Sequence, residues 1–117
     1  MFWHNGDVTA KPSLECSALS LSFTIKPGQR DKLIEEIRKV YARCVGEPEF
    51  VYGVLQESEQ RPYEIRLFEI WKGSEADFAR TQSVKPYRVA FLRYVQQLVS
   101  KVEMEWNTVT QVWRPTQ

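Results

Sequence analysis

Hydrophobic and polar residues alternate from Leu14 to Ile25. The apolar members of this pattern are Leu19, Leu21, Phe23 and Ile25, with single polar residues between them. A period of two is typical of a strand that buries one face, and Lys26-Pro27-Gly28 ends the pattern. From Gln29 to Cys44 the apolar positions recur every three or four residues, which predicts an amphipathic helix.

Two further strands are predicted after the break at Gly46-Glu47-Pro48. The segments Phe50–Gln56 and Tyr63–Trp71 are both rich in β-branched and aromatic residues, and the polar segment 57–62 separates them. This arrangement is typical of a β-hairpin with a loop of several residues. Both strands carry apolar residues on their two faces, so each face must be covered.

Two helices and a last strand complete the pattern. Ser74, followed three residues later by Asp77, resembles a capping box at the start of a short helix that reaches Thr81. Pro86 suits the first turn of a longer helix whose apolar stripe continues to Leu98. The segment 102–114 then alternates again and is predicted to be the final strand.

The element order, strand-helix-strand-strand-helix-strand, predicts an α+β fold of the ferredoxin-like βαββαβ type. Both helices then cover one face of an antiparallel sheet, and the apolar second face needs another cover. We expect a homodimer that packs sheet to sheet about a two-fold axis. The alternative is that residues 1–13, which include Phe2 and Trp3, fold back over the sheet. The predicted organisation is an N-terminal arm, 1–13, and one domain, 14–117.

The composition limits the possible functions. A chain of 117 residues with 43% hydrophobic content suits a single domain. The net charge is +1, from 16 basic and 15 acidic residues, so no charged surface for nucleic acid or an anionic membrane is expected. There is no apolar run of transmembrane length and no secretory signal, which favours a cytoplasmic protein. Cys16 and Cys44 lie far apart in sequence and form no CxxC motif, so two thiols are expected, and a single disulfide is the alternative.

Several separated motifs carry a resemblance to a known family. FTIKPGQRDKLIEEI, EPEFVYGVLQ, RLFEIWKGSEADFARTQ and PYRVAFLRYV occur in this order. Over about residues 18–113 the sequence resembles the antibiotic biosynthesis monooxygenases, a family of dimeric α+β barrels. The matching features are Pro27-Gly28, Glu47-Pro48, and Glu69 with Trp71. Glu49 departs from the pattern, because glycine is usual at that position.

The resemblance implies a cofactor-independent monooxygenase of secondary metabolism that acts on a small hydroxylated aromatic, quinol or polyketide-type substrate. Haem degraders of the family use a histidine as the axial ligand, but this chain has Thr81 at that position. Threonine is a poor ligand for haem iron, and the one histidine, His4, lies in the arm. We therefore expect no metal and no cofactor. The alternatives are a non-oxidative isomerase or cyclase and a ligand-binding protein on the same dimeric scaffold.

The candidate catalytic residues are Glu69 and Trp71, which share a strand face. Glu69 could transfer a proton if an apolar setting raised its pKa. It could instead be a structural carboxylate paired with Arg66 or Arg88. The candidate substrate-binding residues are Tyr52, Arg66, Leu67, Thr81, Tyr87, Phe91 and Tyr94. The aromatic members of this set could equally be simple core residues, and Thr81 could bond to its own helix backbone.

Overall fold

The structure, a computed structural model, describes residues 15 to 116. The strands are β1 (Cys16–Ile25), β2 (Phe50–Glu57), β3 (Glu64–Lys72) and β4 (Val99–Val109). The helices are α1 (Arg30–Cys44), α2 (Glu75–Thr81) and α3 (Pro86–Val95). The predicted N-terminal arm lies outside the described residues.

The four strands form one antiparallel sheet in the order β2-β3-β1-β4. In β1 and β3, Leu21 lies opposite Leu67, and Phe23 opposite Ile65. Because directly opposed residues share a face, the odd-numbered residues of both strands form one side of the sheet. This arrangement confirms the predicted ferredoxin-like α+β fold.

The helices pack on that odd-numbered side and enclose the main core. The core residues from the sheet are Phe23, Ile25, Ile65, Leu67 and Val99, and those from the helices and the turn after α3 are Leu33, Ile37, Val95 and Leu98. All of these side chains are buried. We call this side the helix side, and the opposite side, which carries no helix of the described chain, the open side.

A bulge interrupts the pairing of β2 with β3. Phe50 lies opposite Trp71 and Tyr52 opposite Ile70, so Val51 is the extra residue. An extra residue shifts the alternation of faces by one. Phe50 and Gly53 therefore both belong to the helix side, whereas Tyr52 belongs to the open side.

Two predicted boundaries differ from the structure. The helix α3 ends at Val95, and Leu98 enters the core from the turn that follows. The last strand starts at Val99 and ends at Val109, earlier at both ends than predicted. Its register with β1 shifts between Thr24 and Ile25, an irregularity that the alternation of residues 102–114 does not reveal.

Two other sequence expectations concern cysteine and the membrane. Both cysteines are present as thiols, as expected, and Cys44 is buried. None of the helices within residues 15–116 is long and apolar enough to cross a membrane.

Candidate functional site

Glu69 is a buried carboxylate on the helix side of β3, and its side chain is held by donors from two elements. The indole Nε1 of Trp71 donates a 2.7 Å hydrogen bond to Oε1 of Glu69. The hydroxyl of Tyr41, on α1, donates to Oε2. Glu69 is 3% exposed and Trp71 is 1% exposed. The carboxylate is thus fixed in place by hydrogen bonds to both of its oxygens.

Arg88 of α3 brings a positive charge to the same cluster. Its guanidinium Nη2 lies 3.9 Å from Oε1 of Glu69 and 3.3 Å from the sulfur of Cys44. The guanidinium carbon lies 5.1 Å from the ring centre of Trp71 and 4.7 Å from that of Phe78. These distances fit cation–π contacts with both rings.

One donor of Arg88 remains unused. Its Nε is buried and has no hydrogen-bond partner among the described residues. A buried donor without a partner costs free energy, and such groups call for an explanation. An anionic or carbonyl-bearing ligand beside Arg88 would supply the missing acceptor.

Burial changes the ionisation of the groups around Glu69. Desolvation, followed by the nearby charge of Glu69, raises the pKa of Tyr41 well above its usual range. Desolvation also raises the pKa of the Cys44 thiol, and Arg88 partly opposes this effect. At neutral pH both groups are therefore neutral.

A chain of four aromatic rings runs from β2 to β4 through this cluster. The ring centres of Phe50 and Trp71 are 5.1 Å apart, those of Trp71 and Phe78 are 5.1 Å apart, and those of Phe78 and Trp106 are 4.9 Å apart. Each pair meets edge to face, which is a favoured geometry for aromatic rings. The chain connects the Glu69 cluster with the outer strand β4.

The helix side of β4 is incompletely covered next to Trp106. Val102 and Met104 lie on that side because they pair with Phe23 and Leu21, yet Met104 is 59% exposed. Leu92 of α3 is also exposed. We call Leu92, Val102 and Met104 the apolar shelf.

The position of Leu92 follows from the packing of α3 against α1. The rings of Tyr87 and Tyr94 meet Arg43 and Lys32 of α1, and helical periodicity puts Leu92 on the opposite flank. Val102 and Met104 continue the strand face of Trp106, the last ring of the aromatic chain, and we expect Leu92 to lie above them on the flank of α3 away from α1.

A second polar cluster lies at the start of α3. The buried Gln82 donates through Nε2 to Oε1 of Glu49 at 3.0 Å. Glu47 accepts from Lys85 at 3.0 Å and from the hydroxyl of Tyr87 at 3.3 Å. The hydrogen bond from Lys85 is the largest cause of the lowered pKa of Glu47. These contacts fasten the start of α3, and therefore Arg88, to the segment before β2.

The candidate substrate-binding residues do not all come together. Tyr52 and Arg66 lie on the open side, across the sheet from Glu69. Leu67 is buried in the main core. Thr81 is exposed, and its hydroxyl donates to the backbone oxygen of Asp77 at 2.8 Å.

The three candidate aromatic residues of α3 occupy yet another place. Tyr87, Phe91 and Tyr94 line a groove of about 470 Å³ between α3 and α1, and Val40 and Arg43 line it from the other helix. Phe91 and Tyr94 also pack against the main core. Of the predicted set, the structure therefore joins Trp71 to Glu69 and gathers Tyr87, Phe91 and Tyr94 in a separate groove.

Sequence reasoning missed the central place of Arg88 and Tyr41. It named Arg88 only as one possible ion-pair partner of Glu69, and it gave Tyr41 no role at the site. Tyr41 did fall on the buried stripe, where a hydroxyl needs an acceptor. That requirement, together with an acidic residue on a buried strand face, was the one available signal. Within residues 15–116, no group of three histidine, cysteine, aspartate or glutamate side chains is placed to hold a metal ion.

Similarity to known proteins is found at the level of the fold. The sequence matches no protein-family model and no curated protein. Solved structures match over most of the chain. A protein from Shewanella oneidensis, SO0527, has 18% identity and a TM-score of 0.74, and the match covers 82% of this chain and 92% of that one.

Two other matches carry functional names. SnoaB, a cofactor-independent oxygenase from Streptomyces nogalater, has 17% identity and a TM-score of 0.70 in a mutant form, over 85% of this chain and 96% of that one. A protein from Nitrosomonas europaea with the provisional name antibiotic biosynthesis monooxygenase has 13% identity and a TM-score of 0.71, over 84% and 91%. The chain therefore has the ferredoxin-like fold of the antibiotic biosynthesis monooxygenases.

Proposed function

We propose that the protein is a cofactor-independent monooxygenase that oxidises a small hydroxylated aromatic, quinol or polyketide-type substrate with molecular oxygen. One observation carries the proposal: the buried Nε of Arg88 has no hydrogen-bond partner among residues 15–116, and the guanidinium, whose side chain is 14% exposed, is flanked by Trp71 and Phe78. The apolar shelf beside this group offers a surface for a flat, apolar ring. The fold shared with SnoaB supports the same reaction class, although fold alone does not define chemistry.

The proposed reaction uses the substrate as the electron donor. Loss of a proton gives an enolate or phenolate, which can pass electrons to oxygen without a cofactor. At an anthrone-type methylene, one oxygen atom becomes the new carbonyl oxygen, and the other leaves as water with the two hydrogens. The protein must hold the anion and keep water away from the reacting centre.

Arg88 is the group that we assign to hold this anion. A guanidinium stays charged at all relevant pH values and donates in fixed directions. Its placement between two aromatic rings limits its freedom, so little reorganisation is needed when the negative charge develops. Trp71 forms a wall of the site through its contact with Arg88.

Glu69 acts on the substrate through Arg88 in this proposal. Both carboxylate oxygens already accept hydrogen bonds, from Trp71 and from Tyr41. The negative charge balances the guanidinium 3.9 Å away, which lowers the cost of burying Arg88. Glu69 is thus a positioning residue, and the substrate binds as its anion after its proton has passed to solvent water.

We also propose that the protein works as a homodimer that packs through the open side of the sheet. Tyr52 and Val54 of β2 are exposed there, and the ring of Tyr52 lies 6.3 Å from that of Phe68. Exposed apolar residues grouped on one sheet face are typical of a contact surface. A second copy covers them with an equally apolar surface.

The test is oxygen uptake by purified, metal-free protein with a panel of anthrones, naphthols and quinols, under air and under nitrogen. We expect turnover that needs oxygen and no added cofactor. Arg88→Gln should lower kcat/KM about 100-fold or more, since it removes an anion-stabilising donor. Arg93→Gln, at an exposed position of the same helix, is the matched control and should retain activity. Product formation under nitrogen would instead indicate an isomerase or cyclase, and the absence of turnover with every compound would contradict the proposal.

A further inference from the structure

Phe78 of α2 contacts three residues in and beside the proposed site. Its ring centre lies 5.1 Å from that of Trp71 and 4.9 Å from that of Trp106, and both pairs meet edge to face. The guanidinium carbon of Arg88 lies 4.7 Å from the same ring centre. Phe78 itself is only half-buried. One aromatic ring thus already occupies the space between Trp71, Arg88 and Trp106, and it belongs to a residue that reaches solvent.

The rest of the fold makes little use of this ring. Phe78 does not belong to the main core, and no residue of α2 is buried. Other contacts hold the two ends of the helix. The backbone oxygen of Gly73 accepts from the hydroxyl of Ser17 at 2.8 Å. Beyond the other end, Gln82 donates to Glu49 at 3.0 Å. The ring can therefore move while the backbone of α2 stays in place.

A phenylalanine on a helix has two common positions for its ring. They correspond to χ1 angles of about 180° and about −60°, which both keep the ring clear of the preceding turn. Side chains that reach solvent exchange such rotamers rapidly. Rotation of Phe78 away from Trp71 and Trp106 leaves an apolar space that has the size of one aromatic ring. Side-chain rotation alone is thus sufficient to open the site.

We infer that Phe78 is a gate whose ring occupies the place of one ring of the substrate. The inference rests on the substrate site of the proposed function and adds how the substrate enters it. When the substrate binds, the Phe78 ring turns out, and a substrate ring takes over its contacts with Trp71, Trp106 and Arg88. A hydroxylated ring also brings an oxygen, which phenylalanine lacks, as acceptor for the unused Nε of Arg88. The exchange conserves the aromatic contacts and adds a hydrogen bond.

The surroundings of Phe78 also define the size of the substrate. The apolar shelf adjoins Trp106, because Met104 is two residues away on the same strand face. A substrate with a single ring fills only the place of Phe78, whereas a fused second ring continues over Trp106 towards the shelf. Burial of this additional apolar surface strengthens binding. The gate therefore favours fused aromatic compounds, such as naphthols and anthrones, over phenols and quinols with one ring.

The alternative role of Phe78 is that of a fixed wall. The substrate then packs against the phenylalanine ring, so loss of the ring weakens binding. A gate has the opposite effect, because only the molecules whose ring is turned out can bind, and this requirement lowers the apparent affinity. Removal of the ring from a gate therefore tightens binding. The sign of the change in affinity distinguishes the two roles.

The first test is the dissociation constant of α-naphthol, measured by titration calorimetry under nitrogen so that no oxidation occurs. Phe78→Ala should lower the Kd about fivefold or more, and Phe78→Leu should change it in the same direction. Phe91→Ala, which shortens a half-buried phenylalanine of the other groove, is the matched control and should leave the Kd within about twofold. Weaker binding by the Phe78 variants, or no binding by any form of the protein, would overturn the gate.

The second test follows Phe78 in the unmodified sequence, because an enlarged apolar cavity can bind an aromatic molecule by itself. Protein that contains fluorinated phenylalanine has six fluorine labels, and the spectrum of Phe78→Leu identifies the signal of Phe78. Saturation with α-naphthol should move this signal to the position of a solvent-exposed ring. A signal that keeps its original position in the saturated protein would refute the gate, even if Phe78→Ala binds more tightly.

Binding and turnover separate this inference from the proposed function. The calorimetric titration and the fluorine spectra need no oxygen, so they decide the gate whether or not the protein oxidises a substrate. If Phe78 behaves as a gate and no compound causes oxygen uptake, the monooxygenase proposal alone fails. If α-naphthol is oxidised while Phe78 stays in place, only the gate fails.

Discussion

The indole nitrogen of Trp71 donates a 2.7 Å hydrogen bond to Glu69, two residues earlier on the same strand. Residues two apart on a strand point to the same side, so the largest apolar side chain of β3 and the buried carboxylate of Glu69 occupy one site. The same tryptophan contacts Arg88 through its ring. This ring therefore meets the negative charge with its edge and the positive charge with its face.

Loss of the Glu69 charge should destabilise the fold. Glu69→Gln leaves the largely buried Arg88 without its counter-charge, so we expect the free energy of unfolding to fall by about 2 kcal/mol. Tyr41→Phe removes one donor to Glu69 and should cost about 1 kcal/mol. Urea unfolding measures both. Equal stability of Glu69→Gln and the unmodified protein would show that the ion pair contributes nothing.

Gly73 should be the least replaceable glycine around the site. Its φ is +94°, and a Cβ at this position would lie 2.8 Å from Oδ2 of Asp77. That oxygen accepts the capping bond from the Ser74 backbone, so Gly73→Ala strains the backbone and disturbs the start of α2. We expect a loss of about 2 kcal/mol in the free energy of unfolding.

Gly46→Ala is the matched control for this substitution. Gly46 has no positive φ, and its added Cβ would be 3.5 Å from the nearest atom, the backbone oxygen of Arg43. This is an ordinary contact, so the change should stay within about 0.5 kcal/mol. Similar losses for both variants would contradict the role of the capping contact at Gly73.

Alkaline pH should weaken the fold through the tyrosines. Burial raises the pKa of Tyr87 from 10.0 to about 12, so the folded state favours its neutral form. The contribution of this tyrosine to the free energy of unfolding is complete below pH 10 and is lost as the pH rises towards 12. Tyr41 shifts in the same direction. Spectroscopic titration should show at least these two of the five tyrosines ionising late, and ionisation of all five together near pH 10 would refute the burial argument.

The sequence pattern predicts some parts of this structure, and particular residues show which features it does not predict. The alternation up to Ile25 identifies β1 and its buried face because single-residue periodicity maps directly onto a strand. The bulge at Val51 changes the faces of β2 without changing its composition. The approach of Arg88 to Glu69 depends on how α3 lies across β3, which no local pattern specifies.

The apolar shelf and the groove between α1 and α3 are both candidates for the substrate site, and substitutions can distinguish between them. Leu92→Asp puts a charge on the apolar shelf, so we expect KM for an aromatic substrate to rise about tenfold or more. Tyr94→Ala opens the groove between α1 and α3 and should leave KM within about twofold. Steady-state oxygen uptake gives both values. The reverse outcome would move the substrate to the groove and restore the sequence-based assignment of Tyr94.

The bulge in β2 also limits how this chain can vary. A Cβ on Gly53 would lie 3.2 Å from the ring of Tyr41 and 3.3 Å from that of Phe50, because the bulge brings Phe50 and Gly53 to the same side. If Val51 were paired regularly instead of being the extra residue, strict alternation back from Gly53 would turn Phe50 to the open side and take its ring away from Tyr41 and Trp71. The bulge is therefore what keeps Phe50 beside Gly53 in this sequence, and length changes should accumulate in the loop between β2 and β3.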